Sequence, residues 1–186
     1  MPFLWKQSPS LKWAPKCSIN PNDRLNEEMI KKNYEDVKMS YENVTLINLI
    51  DKKGTQKKMG DYFEKLHRNL GEENFNLIWF DFHDECKNMK YENLARLLDM
   101  VSREIENYGY FHMETQNSGT TERRVSRKNA QKGLFRTNCM DCLDRTNVVQ
   151  SVIGRQVLLQ WLIKLGIHHK SRGVSAFEKL SSDNLE

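Results

Sequence analysis

The sequence predicts an α/β fold with a mainly parallel sheet flanked by helices. Two observations carry that prediction: short β-branched or aromatic runs end in turn signals, and segments of helical period lie between them. Because strands and helices alternate, a parallel sheet with crossover helices is the economical arrangement. The chain has 186 residues, enough for one domain with a real core. With 38% hydrophobic and 29% charged residues it reads as globular but polar.

The elements follow in order. Val44–Ile50 is rich in β-branched residues and closes on Asp51-Lys-Lys-Gly54, a strand and turn. Met59, Tyr62, Phe63, Leu66 and Leu70 keep helical spacing, and Gly71 sits where a C-cap belongs. Asn74–Phe82 reads as a buried strand. Asn93–Tyr108 reads as one helix with Leu94, Leu97, Leu98, Val101 and Ile105 on one face. Residues 115–132 are polar, without hydrophobic period, and read as a long loop. Gly133–Asn138 is a short strand, and Asn147–Leu165 is a long helix stopped at Gly166. Residues 167–186 read as an exposed tail.

Composition excludes several classes. No run reaches the roughly eighteen apolar residues of a membrane span, and Met1–Gln7 is too poor in apolar residues for a signal peptide. Four cysteines, at 17, 86, 139 and 142, are too few for a secreted disulfide scaffold of this length, so reduced cytosolic thiols are expected. The net charge of +4 permits an anionic partner without specifying one. Nucleic acid is not expected, and nothing specifies an oligomer. Arg123, Arg124, Arg127, Lys128 and Lys132 face Glu122 alone between Thr120 and Lys132, a local excess equal to the net charge of the whole chain. Beside a site, such a loop would favour an anionic membrane; elsewhere it is a solvated loop.

Between the last strand and the last helix lies Arg136-Thr-Asn-Cys139-Met-Asp-Cys-Leu-Asp-Arg145-Thr-Asn147. A cysteine followed six positions later by arginine is the loop of cysteine-dependent phosphatases. At that spacing successive N–H groups curl toward one point at a helix N-terminus, which favours an anion. Met140, Asp141, Cys142, Leu143, Asp144, Arg145 and Thr146 are the expected phosphate-binding set, with Arg145 supplying a bidentate fork. The same field is expected to lower the Cys139 thiol, which then attacks phosphorus. Asp141 is the candidate acid for the leaving group, with Asp144 behind it. Thr146 is placed to donate to the sulfur. A helix-capping turn around a buried cysteine is the bland reading of the same residues. Cys139-Met-Asp-Cys142 is also a C-x-x-C, so zinc and dithiol redox readings stay open, although Cys17 and Cys86 are isolated and redox gives Arg145 no task.

Arg136–Asn147 resembles the signature of the Sac family of phosphoinositide phosphatases, in which arginine-x-asparagine precedes C-x-D-C-x-D-R-T-N. Phe3–Lys12 is similar to the family's tryptophan, glutamine, proline and leucine-lysine segment, and Asp81–Met89 to its aspartate-phenylalanine-histidine stretch. The resemblance implies that Cys139 is the nucleophile and Arg145 the phosphate ligand. The implied substrates are phosphatidylinositol monophosphates, the 4-phosphate foremost, with no metal or cofactor. Cys139-Met-Asp-Cys and Cys86-Lys-Asn-Met look most like the branch of the endoplasmic reticulum and Golgi, which implies work on the cytosolic face of those membranes. The family's catalytic domains extend beyond both ends of this stretch, so the chain is expected to be a partial catalytic domain. His83 reads as a structural strand-end histidine, and Lys87 and Lys90 as solvated charges or head-group contacts.

Overall fold

The computed structural model describes residues 1–9, 11, 15–117 and 123–166. An antiparallel pair opens the chain, β1 (Trp5–Gln7) with β2 (Cys17–Ile19). Next comes α1 (Asp23–Lys38), capped by Asn22, whose side chain accepts the Leu25 N–H at 3.1 Å. Its buried residues Asn26, Ile30 and Tyr34 recur every four positions and form one narrow stripe. The sequence reading assigns no element here, because charged residues fill most positions between them.

β3 (Asn43–Asn48), α2 (Gly54–Leu70) and β4 (Phe75–Trp79) follow as a crossover unit. Gly71 ends α2 in the left-handed region at φ 59°, the conformation expected of the C-cap glycine. α3 (Phe82–Glu85) is a single turn capped by Asp81. α4 (Leu94–Met100) and α5 (Ser102–Tyr108) replace the single helix expected over 93–108. The break falls at Val101, whose φ of −109° and ψ of 8° leave the helical region. Leu94, Leu97, Val101 and Ile105 are all buried, so the apolar stripe is real although the rod is not.

The segment 115–132 is not a structureless loop. β5 (His112–Asn117) and β6 (Arg123–Asn129) form an antiparallel hairpin. Its strands escape the sequence reading because the described side chains of Met113–Thr115 and Val125–Lys128 are exposed, so no apolar alternation marks them. Residues 120–122 of the basic segment lie outside the described residues, as does the expected tail 167–186. β7 (Gly133–Asn138) matches its expected bounds, and α6 (Asp144–Lys164) begins three residues early.

β3 is the central strand, parallel to β4 on one side and β7 on the other. It is buried from Val44 to Asn48 on both faces, which accounts for its mainly apolar, β-branched sequence. Ile30, Met59, Phe63 and Leu66 pack toward the sheet with exposures of 0–1%, and each such side chain stabilises the fold by about 1.5–3 kcal/mol. The chain leaves β3 through α2 to β4, then returns through α4 and α5 to β7 on the opposite side. Right-handed crossovers in opposite directions place these helices on opposite faces of the sheet. Adjacent strands β3 and β7 therefore send their outgoing loops to opposite faces, and a crevice opens at their carboxyl ends.

Candidate active site

β7 delivers the cysteine loop into that crevice. Asn138, the last strand residue, donates its Nδ2 to Asn48 Oδ1 at 2.9 Å, and its carbonyl accepts the Leu49 N–H at 2.8 Å. Cys139 is thereby fixed to the central strand and is 1% exposed. The chain then reverses through Cys142, a left-handed residue at φ 57°, and enters α6 at Asp144. Arg145 and Thr146, expected in the loop, belong to the first turn of α6 and are buried.

The N–H groups at this turn bind the loop's own electron-rich atoms. The Cys142 N–H donates to Cys139 Sγ at 2.9 Å, and the Leu143 N–H to Asp141 Oδ1 at 3.2 Å. The Thr146 hydroxyl donates to the same sulfur at 3.4 Å, and the Cys139 thiol faces Asp141 Oδ1 at 3.5 Å. The Leu143 N–H holds the Asp141 carboxyl below the usual carboxylate range, aided by the Cys139 thiol and the Arg145 charge.

The thiols do not divide as the sequence suggests. Burial pushes the Cys139 thiol up, against the pull of Thr146, the Cys142 N–H and Arg145. Cys142 is also partly desolvated, yet hydrogen bonds from Cys139 and Thr146 outweigh that and hold its thiol below the ordinary range. Two adjacent sulfurs cannot both ionise cheaply, and the exposed one carries the charge first. The expected lowering of Cys139 fails for two physical reasons: the sulfur is buried, and the Arg145 fork is engaged elsewhere.

Arg145 Nη1 lies 3.2 Å from Gln56 Oε1, 3.5 Å from the Leu49 carbonyl and 3.7 Å from Asp51 Oδ1. Asp51 Oδ1 also meets His83 Nδ1 at 2.8 Å. A polar wall of Gln56, Asp51 and His83 thus stands across the crevice from the cysteine loop, joined to it through Arg145. Sequence reading missed Asp51 and Gln56 and took His83 as structural. The available signal was position: Asp51 and His83 each follow a strand that ends at the same sheet edge.

Of the expected phosphate-binding residues, Asp141, Cys142, Arg145 and Thr146 converge on the expected nucleophile Cys139. Met140 is half-buried, and Leu143 and Asp144 are exposed at the mouth. Among the described residues no three His, Cys, Asp or Glu side chains cluster as a metal site needs. A surface concavity of about 340 Å³ lies at the other end of α2, beside Gly71, and includes none of these groups.

Fold and site together define an α/β protein with a cysteine–arginine loop at a sheet crevice. Comparison with known proteins narrows the class. The SacI homology domain matches residues 1–87. Zebrafish phosphatidylinositol-3-phosphatase SAC1-A is 34% identical over 183 residues, which cover 97% of this chain and 30% of that protein. The Drosophila melanogaster phosphatidylinositol-3-phosphatase SAC1 is 34% identical over 100% of the chain and 31% of its own length. The Saccharomyces cerevisiae protein of the same name is 33% identical over 85% of the chain and 25% of its length. The chain belongs to the Sac family, and it spans less than a third of these relatives.

Proposed function

We propose that the chain hydrolyses phosphatidylinositol monophosphates, the 4-phosphate foremost, through a phosphocysteine on Cys139. One observation carries the reading: the N–H groups at the head of α6 already gather a sulfur and a carboxylate, with Arg145 buried beside them. A phosphoryl group offers the same N–H donors a stronger acceptor. The Cys139 proton passes to Asp141, 3.5 Å away, as sulfur attacks phosphorus and the bond to the inositol oxygen breaks. Water then cleaves the phosphorus–sulfur bond, and the Thr146 hydroxyl eases sulfur's departure.

The sequence reading gives Asp141 the leaving-group proton; two features reassign it to the thiol. Its carboxyl is held low, so it accepts rather than donates at neutral pH. It also lies on the nucleophile's side, whereas in-line displacement sends the leaving oxygen to the opposite side.

The anionic membrane surface meets the protein at the carboxyl edge of the sheet. Lys52, Lys87 and Lys90 are exposed there, with Met89 76%, Leu143 60% and Tyr91 44% exposed beside them. Basic and apolar side chains so mixed suit a lipid surface. The hairpin, favoured for this role if it adjoined the site, is rooted at the amino end of β7. Work on the cytosolic face of the endoplasmic reticulum and Golgi remains part of this proposal.

A second reading, a phosphoinositide-binding segment without turnover, is favoured by the Arg145 contacts, which hold Nη1 on Leu49, Gln56 and Asp51. Turnover and binding of short-chain phosphatidylinositol 3-, 4- and 5-phosphates separate the two. The 3-phosphate belongs in the panel because the relatives' names carry it. Release of phosphate, fastest from the 4-phosphate, is expected; binding without release would establish the second reading.

A further inference from the structure

We propose that His83, oriented by Asp51, is the acid that protonates the leaving inositol oxygen. This rests on the phosphocysteine reading above and supplies the proton that Asp141 is not placed to give. In-line attack by Cys139 directs the leaving oxygen away from the sulfur, and the residues after β3 and β4, tied to the loop through Arg145 and Asp51, are the groups placed to meet it.

Five carboxyl or imidazole side chains follow those two strands, and Glu85 is taken by Arg96 at 2.5 Å. Asp81 is buried and commits both carboxylate oxygens to backbone N–H groups, of Lys52 at 2.7 Å and Asp84 at 3.1 Å. Asp84 is paired with Lys53 at 2.8 Å, which keeps its carboxyl low. Asp51 lies between His83 and the Arg145 guanidinium, at 2.8 Å and 3.7 Å, and is committed to both. His83 remains. A carboxylate on Nδ1 fixes that nitrogen as a donor and leaves Nε2 to carry the mobile proton. The side chain is 60% exposed, so it can meet a substrate entering the crevice and can be replaced without opening the core.

The protons balance over two steps. As the phosphorus–oxygen bond breaks, the imidazolium Nε2–H passes its proton to the inositol oxygen and becomes neutral imidazole. The same nitrogen then takes a proton from the water that attacks phosphocysteine, and the electron pair of the broken phosphorus–sulfur bond returns to Cys139. Asp141 gives back the thiol proton, and the site is restored. The charges around the imidazole are Asp51 and Lys53 from the loop after β3, Asp84 on its own turn, and Arg145 from α6.

The test compares two leaving groups. His83→Asn is assayed on short-chain phosphatidylinositol 4-phosphate, whose alkoxide needs a proton, and on 4-nitrophenyl phosphate, whose phenolate does not. The expected loss is about a hundredfold or more on the inositol ester, the scale of general acid catalysis, and at least tenfold smaller on the aryl ester. Added imidazole restores part of the rate on the inositol ester. Asp51→Asn, the positioning variant, keeps the leaving-group bias with a smaller loss. Equal losses on both esters, or no loss on the inositol ester, would overturn the role of His83. Cys139→Ser in the same assays keeps the two ideas apart: if it stays active, the phosphocysteine reading fails, whereas a dead serine variant with an unbiased His83→Asn sinks only the acid.

Discussion

The two ends of β7 carry polar segments that look alike in sequence and differ in the fold. At the amino end the β5–β6 hairpin pairs with itself, from Asn117↔Arg123 down to His112↔Asn129. Its root is tied by the Asn129 amide to the Tyr110 carbonyl at 2.6 Å and by Tyr110 against Trp161. At the carboxyl end the turn from Cys139 to Leu143 is tied to the end of β3 and to α2, through Asn138 to Asn48 and through Arg145 to Leu49 and Gln56. Polarity therefore says little about what a segment does. What matters is whether its polar groups meet buried partners, because those fix one geometry while solvated ones leave many.

That contrast can be broken most forcibly at Arg145. Arg145→Lys should lower turnover by about a hundredfold or more, the scale of one lost preorganised donor, because a point charge cannot supply two parallel bonds. Wild-type kinetics in that variant would reduce Arg145 to a tie between α6 and the wall.

A smaller effect separates the two ends as membrane contacts. Replacing Lys52, Lys87 and Lys90 by glutamine should weaken sedimentation with phosphatidylserine vesicles, by about 1 kcal/mol for each residue that reaches the surface. The loss should shrink as salt rises. Glutamine at Arg123, Arg124, Arg127 and Lys128 should leave vesicle binding nearly intact. The reverse ranking would return the hairpin to the membrane.

At the amino end the expected consequence is stability alone. A Cβ on Gly133 would fall 2.2 Å from the Tyr108 ring, and that ring is held by its hydroxyl on buried Thr45 at 2.7 Å. Gly133→Ala should cost about 1–3 kcal/mol in urea unfolding and leave the kinetics of the folded fraction unchanged. Altered KM would show that the two ends communicate.

Thiol chemistry gives the subtlest comparison. Cys142 is exposed and its thiol held low, whereas Cys139 is buried and pushed up. Iodoacetamide should therefore label Cys142 from a lower pH than Cys139, since the thiolate is the reacting form. Peptide mapping across a pH series checks the order. Cys139 labelling first would mean that the loop stabilises its thiolate more than this geometry provides.

Legibility followed the same physics. The sheet, the Gly71 cap and the apolar stripe of α4–α5 were readable because burial imposes a period on sequence. α1 escaped because three buried positions in sixteen residues leave a thin signal, and the hairpin because exposed strands carry none. The cysteine loop was readable as a local spacing, and Cys139, Asp141, Arg145 and Thr146 do meet. Asp51, Gln56 and His83 were not readable as partners: the first two stand about ninety residues from Arg145 and His83 about sixty, on other strands' loops and helices, and only the strand order brings them together. The Cys139 thiol was misjudged for a related reason, since spacing says nothing of how deeply the sulfur is buried.

The most direct test of the account is rapid quenching during turnover of short-chain phosphatidylinositol 4-phosphate, followed by mass spectrometry of the peptide that holds Cys139. The account predicts a transient phosphoryl group on Cys139 in the parent chain. In Cys139→Ser it predicts no phosphoryl group and no released phosphate, while binding of the lipid head group survives, because a serine hydroxyl in this loop stays protonated and unreactive. Full turnover by the serine variant, or a phosphoryl group on any other residue, would contradict it.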